Sequence, residues 1–90
     1  MPGPHDNQPS ASDVVRAEVV YTARRIVEGE LQPYQGAAYV WMIMAEINYE
    51  GLDDLRGWVG LASEWQDSPQ HREALEADIL DKAKRLVEQS

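Results

Sequence analysis

Ala37 to Ala45 is the longest uninterrupted apolar run in the chain, and it lies within the stretch YVWMIMAEINYEG at residues 39–51. Wound as a helix, residues 34–50 put Gln35, Tyr39, Glu46 and Glu50 on one narrow stripe, and apart from Gly36 and Asn48 everything else is apolar. The remaining arc spans roughly 260°, far more than the face of about 100° that an ordinary surface helix buries. Such a helix must be covered on two sides. Either it is the central member of a monomeric bundle, or a second copy covers part of it at Trp41, Met44 and Ile47. The run YVWMI also suits a short strand, but its Met and Ala content and its lack of turn residues favour helix.

Three further helical patterns surround this segment. The first has Ser12 or Asp13 as its cap and Gly29 as its stop, and puts Val15, Val19, Val20, Ala23, Ile26 and Val27 within an arc of roughly 140°. The second, central one opens at Pro33 and is expected to run to Gly51. The third follows Asp53 and carries Leu55, Trp58, Val59, Leu61, Ala62 and Trp65 on one side. The fourth enters at Ser68-Pro69 and buries Leu75, Ile79, Leu80, Ala83, Leu86 and Val87, with Asp78–Lys82 and Asp81–Arg85 as i,i+4 pairs outside. Connections this short favour antiparallel neighbours, so the expected fold is all-α: a compact antiparallel bundle of four helices. Residues 1–11, with three prolines and mostly small polar side chains, are expected to form a disordered tail ahead of a single helical domain at 12–90.

Charge narrows the partners. The chain carries a net −8, which repels phosphate backbones and anionic lipid and so argues against nucleic acid or membrane as a ligand. Between residues 44 and 67, Glu46, Glu50, Asp53, Asp54, Glu64 and Asp67 face the single cation Arg56. The chain has no cysteine, its apolar run is too short to span a bilayer, and it opens on no signal-like pattern, so a cytoplasmic setting is expected.

Chemistry finds little to build on. Glu46, Glu50, Glu64, Asp67 and His71 form at best a weak metal-ligand set, because a di-iron bundle needs Glu-x-x-His pairs that are missing here. Ser63 lacks a nucleophile elbow, and no glycine loop suits a phosphate. Gly57 and Gly60 fall on the polar side of the third helix and mark either a short, irregular or partly 3₁₀ segment or a place where a partner's backbone approaches closely. A Gly-x-x-Gly RNA clamp would need surrounding cations, and acids surround these glycines instead. The expectation is a non-enzymatic protein with no cofactor and no metal.

Gly29-Glu30 and then Leu55 to Pro69, LRGWVGLASEWQDSP, resemble a group of small uncharacterised bacterial helical proteins that pair a Gly-Glu helix end with a Ser-Glu-x-x-Asp-x-Pro-like stretch. Here Ser63, Glu64, Asp67 and Pro69 carry that likeness, over about half of the chain, with Trp65 and Gln66 where short polar residues are usual. The resemblance implies a helical fold and a bacterial source but no activity. By analogy with some small acidic bacterial proteins, it suggests an inhibitor or immunity factor. The residues themselves point to an acidic protein-interaction module that docks a basic protein surface through Tyr39, Glu46, Glu50, Asp53, Asp54, Gly57, Gly60, Glu64 and Asp67. The alternatives are a self-assembling homodimer and, behind it, a metal-dependent enzyme.

Overall fold

The computed structural model describes residues 10–90, so the expected tail lies outside the described residues except at its end. Four α-helices follow in order: α1 (Ala11–Val27), α2 (Pro33–Glu46), α3 (Arg56–Asp67) and α4 (Arg72–Gln89), with one 3₁₀ turn at Asp53–Leu55 and another at Pro69–His71. No described residue is in a strand, and none of the helices is long and apolar enough to cross a membrane.

α1 begins earlier than expected. Ser10, not Ser12 or Asp13, is its cap: Asp13 donates its backbone N–H to Ser10 Oγ at 3.2 Å, and its carboxylate accepts from the Ser10 N–H at 3.3 Å. Two otherwise orphaned donors at the helix start are thereby satisfied reciprocally. At the other end Gly29 takes φ +80°, a left-handed conformation that lacks steric cost only for glycine.

α2 packs against all three of the others, as does α4. Ala37, Val40 and Met44 are fully buried, and Trp58, Leu52 and Ile79 close around them. The monomer thus covers Met44 itself, which removes that residue from any surface between copies. α2 also stops short, at Glu46 instead of Gly51. Asn48 and Tyr49 take left-handed φ values of 53° and 61°, and their N–H groups fold back onto the carbonyls of Ala45 and Met44 at 3.0 and 2.9 Å. Continuing the helix would carry Ile47, Tyr49 and Leu52 past the core. The turn instead returns Ile47 and Tyr49 onto it and buries Leu52 completely.

α3 is a regular helix, not an irregular segment; the 3₁₀ geometry is confined to Asp53–Leu55 before it. Ser68-Pro69 likewise opens a 3₁₀ turn, with no side-chain cap from Ser68, and α4 proper starts at Arg72. Of the two outer pairs expected on α4, Asp81–Arg85 forms at 3.0 Å, whereas no ion pair joins Asp78 to Lys82 among the described residues. Lys82 lies over Gly57 of α3 instead, 2.8 Å from where a Cβ would stand.

The α1–α2 crossing depends on Gly36. A Cβ there would stand 2.8 Å from Ile26 Cγ1, closer still to Ile26 Cδ1, and 3.3 Å from Leu31 Cδ2. Ile26 is itself buried and has little room to yield. Gly36→Ala is therefore expected to cost about 1–3 kcal/mol through overpacking, despite alanine's better helix propensity, as read from the urea midpoint. A neutral or stabilising result would show that α1 and α2 are less tightly apposed than described.

Candidate functional site at the helix surface

The nine residues singled out by sequence do not form one patch. α2 and α3 are joined by a short turn and run antiparallel, so Glu46, Glu50, Asp53 and Asp54 gather at the pole where α2 ends and α3 begins. Glu64 and Asp67 lie at the far end of α3, near the start of α2, where Gln66 donates to the Tyr34 hydroxyl at 2.8 Å. Tyr34 also stacks on Trp65 there at 3.7 Å between ring centroids, and the Arg72 guanidinium covers the indole from 4.0 Å. The carboxylates proposed as metal ligands are divided between the two poles, and no group of three potential ligands converges among the described residues. His71 is exposed in the 3₁₀ turn before α4.

Two of the acids are occupied within the chain. Arg16 of α1 donates to both carboxylate oxygens of Asp54, at 2.7 and 2.9 Å, and to the carbonyl of Gly51 at 3.1 Å. That fork ties the α2–α3 turn to α1. Asp53 pairs with Arg56 at 3.2 Å across one helical turn. Glu46, Glu50, Glu64 and Asp67 have no such cation among the described ion pairs and stand exposed.

Tyr39 does leave the polar stripe of α2, but its partner is on α1: the hydroxyl donates to Glu18 Oε2 at 3.1 Å. That hydrogen bond, then burial, then the charges of Glu18 and Glu46 raise the Tyr39 pKa above its ordinary value. The hydrogen bond from Arg16 acts oppositely on Asp54 and holds its carboxyl below the usual range, with burial opposing.

The two glycines of α3 have different surroundings. Gly57 lies under Lys82 in a groove of about 610 Å³ between α3 and α4, floored by Leu55, Trp58, Leu61 and Leu86. Asp54, Asp78 and Asp81 share its walls with Lys82 and Arg85, so charges of both signs meet there. Gly60 faces open space, with nothing within 4 Å of a Cβ.

Sequence reading missed the feature that stands out most on the surface. At 100° per residue, Val14, Glu18, Tyr21 and Arg25 of α1 line one side, and Gln35, Tyr39, Met42 and Glu46 of α2 line the adjoining one. Val14 (51%), Tyr21 (61%), Tyr39 (38%) and Met42 (53%) are four of the five exposed large hydrophobic side chains of the described residues. The fifth, Val27, lies on another side of α1. A signal was present, since Val14 and Tyr21 are large apolar residues outside the arc that α1 buries. Comparison of the chain with family models, with curated proteins and with solved structures finds no match.

Two outcomes follow from this geometry. Because the Asp54 pKa is lower folded than unfolded, the pair contributes stability above the ordinary carboxylate range that is lost as pH falls through the folded value. Both partners are substantially exposed, so the contribution is about 0.2–1 kcal/mol. Asp54→Asn should therefore lower the melting temperature at pH 7 and converge with the wild type near pH 2; an offset that persists in acid would assign the loss to something other than the ion pair. Gly60→Ala should stabilise the fold by up to about 1 kcal/mol, the helix-propensity difference at an open site. A loss in the urea midpoint would contradict the open setting of Gly60.

Proposed function

We propose that the chain is a non-catalytic protein-interaction module that docks a basic protein surface at the pole where α2 ends. The observation that carries this reading is the electrostatics of that helix end. Glu46 and Glu50 stand exposed there, and no basic residue lies in the last turn of α2. The two carboxylates add to the negative end of the helix dipole and are in no ion pair among the described residues, so an incoming Lys or Arg supplies a counter-charge. Complementary charge of this kind speeds and orients encounter more than it deepens affinity. The inhibitor or immunity-like role suggested by the resemblance of Gly29-Glu30 and Ser63–Pro69 is the narrower form of the same reading. Asp53 and Asp54 shape the pole but meet a partner only by giving up Arg56 and Arg16.

Self-association is the second reading, favoured by the exposed apolar side chains shared between α1 and α2.

The first reading is tested by affinity capture on the immobilised chain at about 50 mM and about 500 mM salt, a range over which screening collapses surface electrostatics. Basic proteins should be retained at low salt, released at high salt, and lost from a Glu46→Gln/Glu50→Gln variant. Retention that ignores salt and both substitutions would remove the acidic pole from consideration.

A further inference from the structure

The charge of the molecule is not spread evenly. α1 holds Arg16, Arg24 and Arg25 against Asp13 and Glu18, and α2 adds only Glu46, so the two helices without their connection sum to zero in a chain of −8. The connections carry much of the excess: Glu28 and Glu30 after α1, and Glu50, Asp53 and Asp54 after α2. The face that exposes Val14, Tyr21, Tyr39 and Met42 carries Glu18 and Glu46 against Arg25, a single excess negative charge. A second acidic molecule meets less repulsion on this face than at the acidic pole of Glu46, Glu50, Asp53 and Asp54.

Within that face the charges are arranged end against end. The contact of Ile26 with Gly36 and the hydrogen bond from Tyr39 to Glu18 set α1 antiparallel beside α2. Arg25 therefore stands beside the first turns of α2, while Glu18 stands beside its middle at Tyr39 and Glu46 at its C-terminal end. A twofold axis crossing the hairpin near Met42 and Tyr21 turns one end onto the other.

We propose that the outer face of the α1–α2 hairpin is a homodimer interface, with α2 packed antiparallel on α2 of a second copy so that Glu46 of each copy meets Arg25 of the other. Met42 then meets Met42 at the axis, Tyr21 meets Tyr21 beside it, and each Tyr39 lies toward the small Ala45 of the other copy. The contact brings a cation to the C-terminal end of α2, whose last turn holds no basic residue, and it sets two helix dipoles antiparallel. A face of two short helices lies at or below the lower end of specific interfaces, about 1,200 Å² in total, so the dimer is expected to be concentration-dependent with a dissociation constant on the order of micromolar. The proposal rests on the self-association reading, and because it occupies Glu46 it competes with docking of a basic partner at that residue.

Sedimentation and light scattering on the full chain across the micromolar range test it, with circular dichroism to confirm folding. The mass should rise from 10.2 kDa toward twice that value. Met42→Asp, at an exposed site, should keep the protein folded and monomeric. Glu46→Arg and Arg25→Glu should each weaken association about five- to tenfold, and the two together should restore it to within about twofold. Because the chain has no cysteine, Met42→Cys should form a disulfide-linked dimer under mild oxidation, a readout that needs no charge substitution. A monomer at every concentration would overturn the self-association reading and the interface together. A dimer that survives Met42→Asp, is not cross-linked by Met42→Cys, or is not rescued by the double charge swap would leave self-association standing and overturn this interface.

Discussion

Burial of α2 among the other three helices is the constraint on which the rest of the structure depends. Val40 and Met44 are wholly enclosed, each contributing about 1.5–3 kcal/mol through removal from water, and Ala37 and Gly36 keep the backbone close to its neighbours. Because α2 gives so much of its circumference to the core, α1 and α3 must flank it on opposite sides. That leaves one strip of α2 outside, the strip from Gln35 through Tyr39 and Met42 to Glu46. Where the acids and exposed apolar groups stand is a consequence of this packing.

The Arg16–Asp54 fork is a smaller constraint of a different kind. It spans 38 positions of the chain and brings the N-terminal half of α1 against the turn that follows α2. Its energy is modest because both side chains remain wet. Its effect is orientational: by also accepting at the Gly51 carbonyl, the turn holds one backbone path, and Gly51 itself takes φ +75° with Ser12 only 3.0 Å from where its Cβ would be. The neighbouring Tyr49 is held by a hydrogen bond from Trp41 Nε1 at 3.1 Å and by the guanidinium of Arg56 over its ring. These contacts stabilise two successive left-handed residues other than glycine, which local preference alone disfavours.

What can be read from the sequence follows the range of the interactions involved. Helix identity and the stop at Gly29 depend on neighbours a few residues apart, whereas the 260° apolar arc of α2 is only partly covered, with Met42 and Ala45 left exposed. The end of α2 is not legible, because Asn48 and Tyr49 leave the helix in order to seat Ile47, Tyr49 and Leu52 in a core assembled from the other helices. The acidic cluster fails for a related reason. Proximity in sequence between Glu46 and Asp67 does not become proximity in space, because α3 runs away from the turn and carries Glu64 and Asp67 to the opposite pole. Arg16 and Glu18, which engage Asp54 and Tyr39, lie in a helix whose polar residues look merely solvated until its partner is in place.

The stack at that opposite pole has a mechanical meaning. Tyr34 comes from the first turn of α2, Trp65 from the last turn of α3 and Arg72 from the start of α4, and Arg72 also donates to the Trp65 carbonyl at 3.1 Å. Helix termini ordinarily fray one at a time, with little free energy separating closed from open. Here Tyr34 and Arg72 both rest on Trp65, so unwinding the end of α3 takes away the ring on which the other two termini pack and couples their opening to its own.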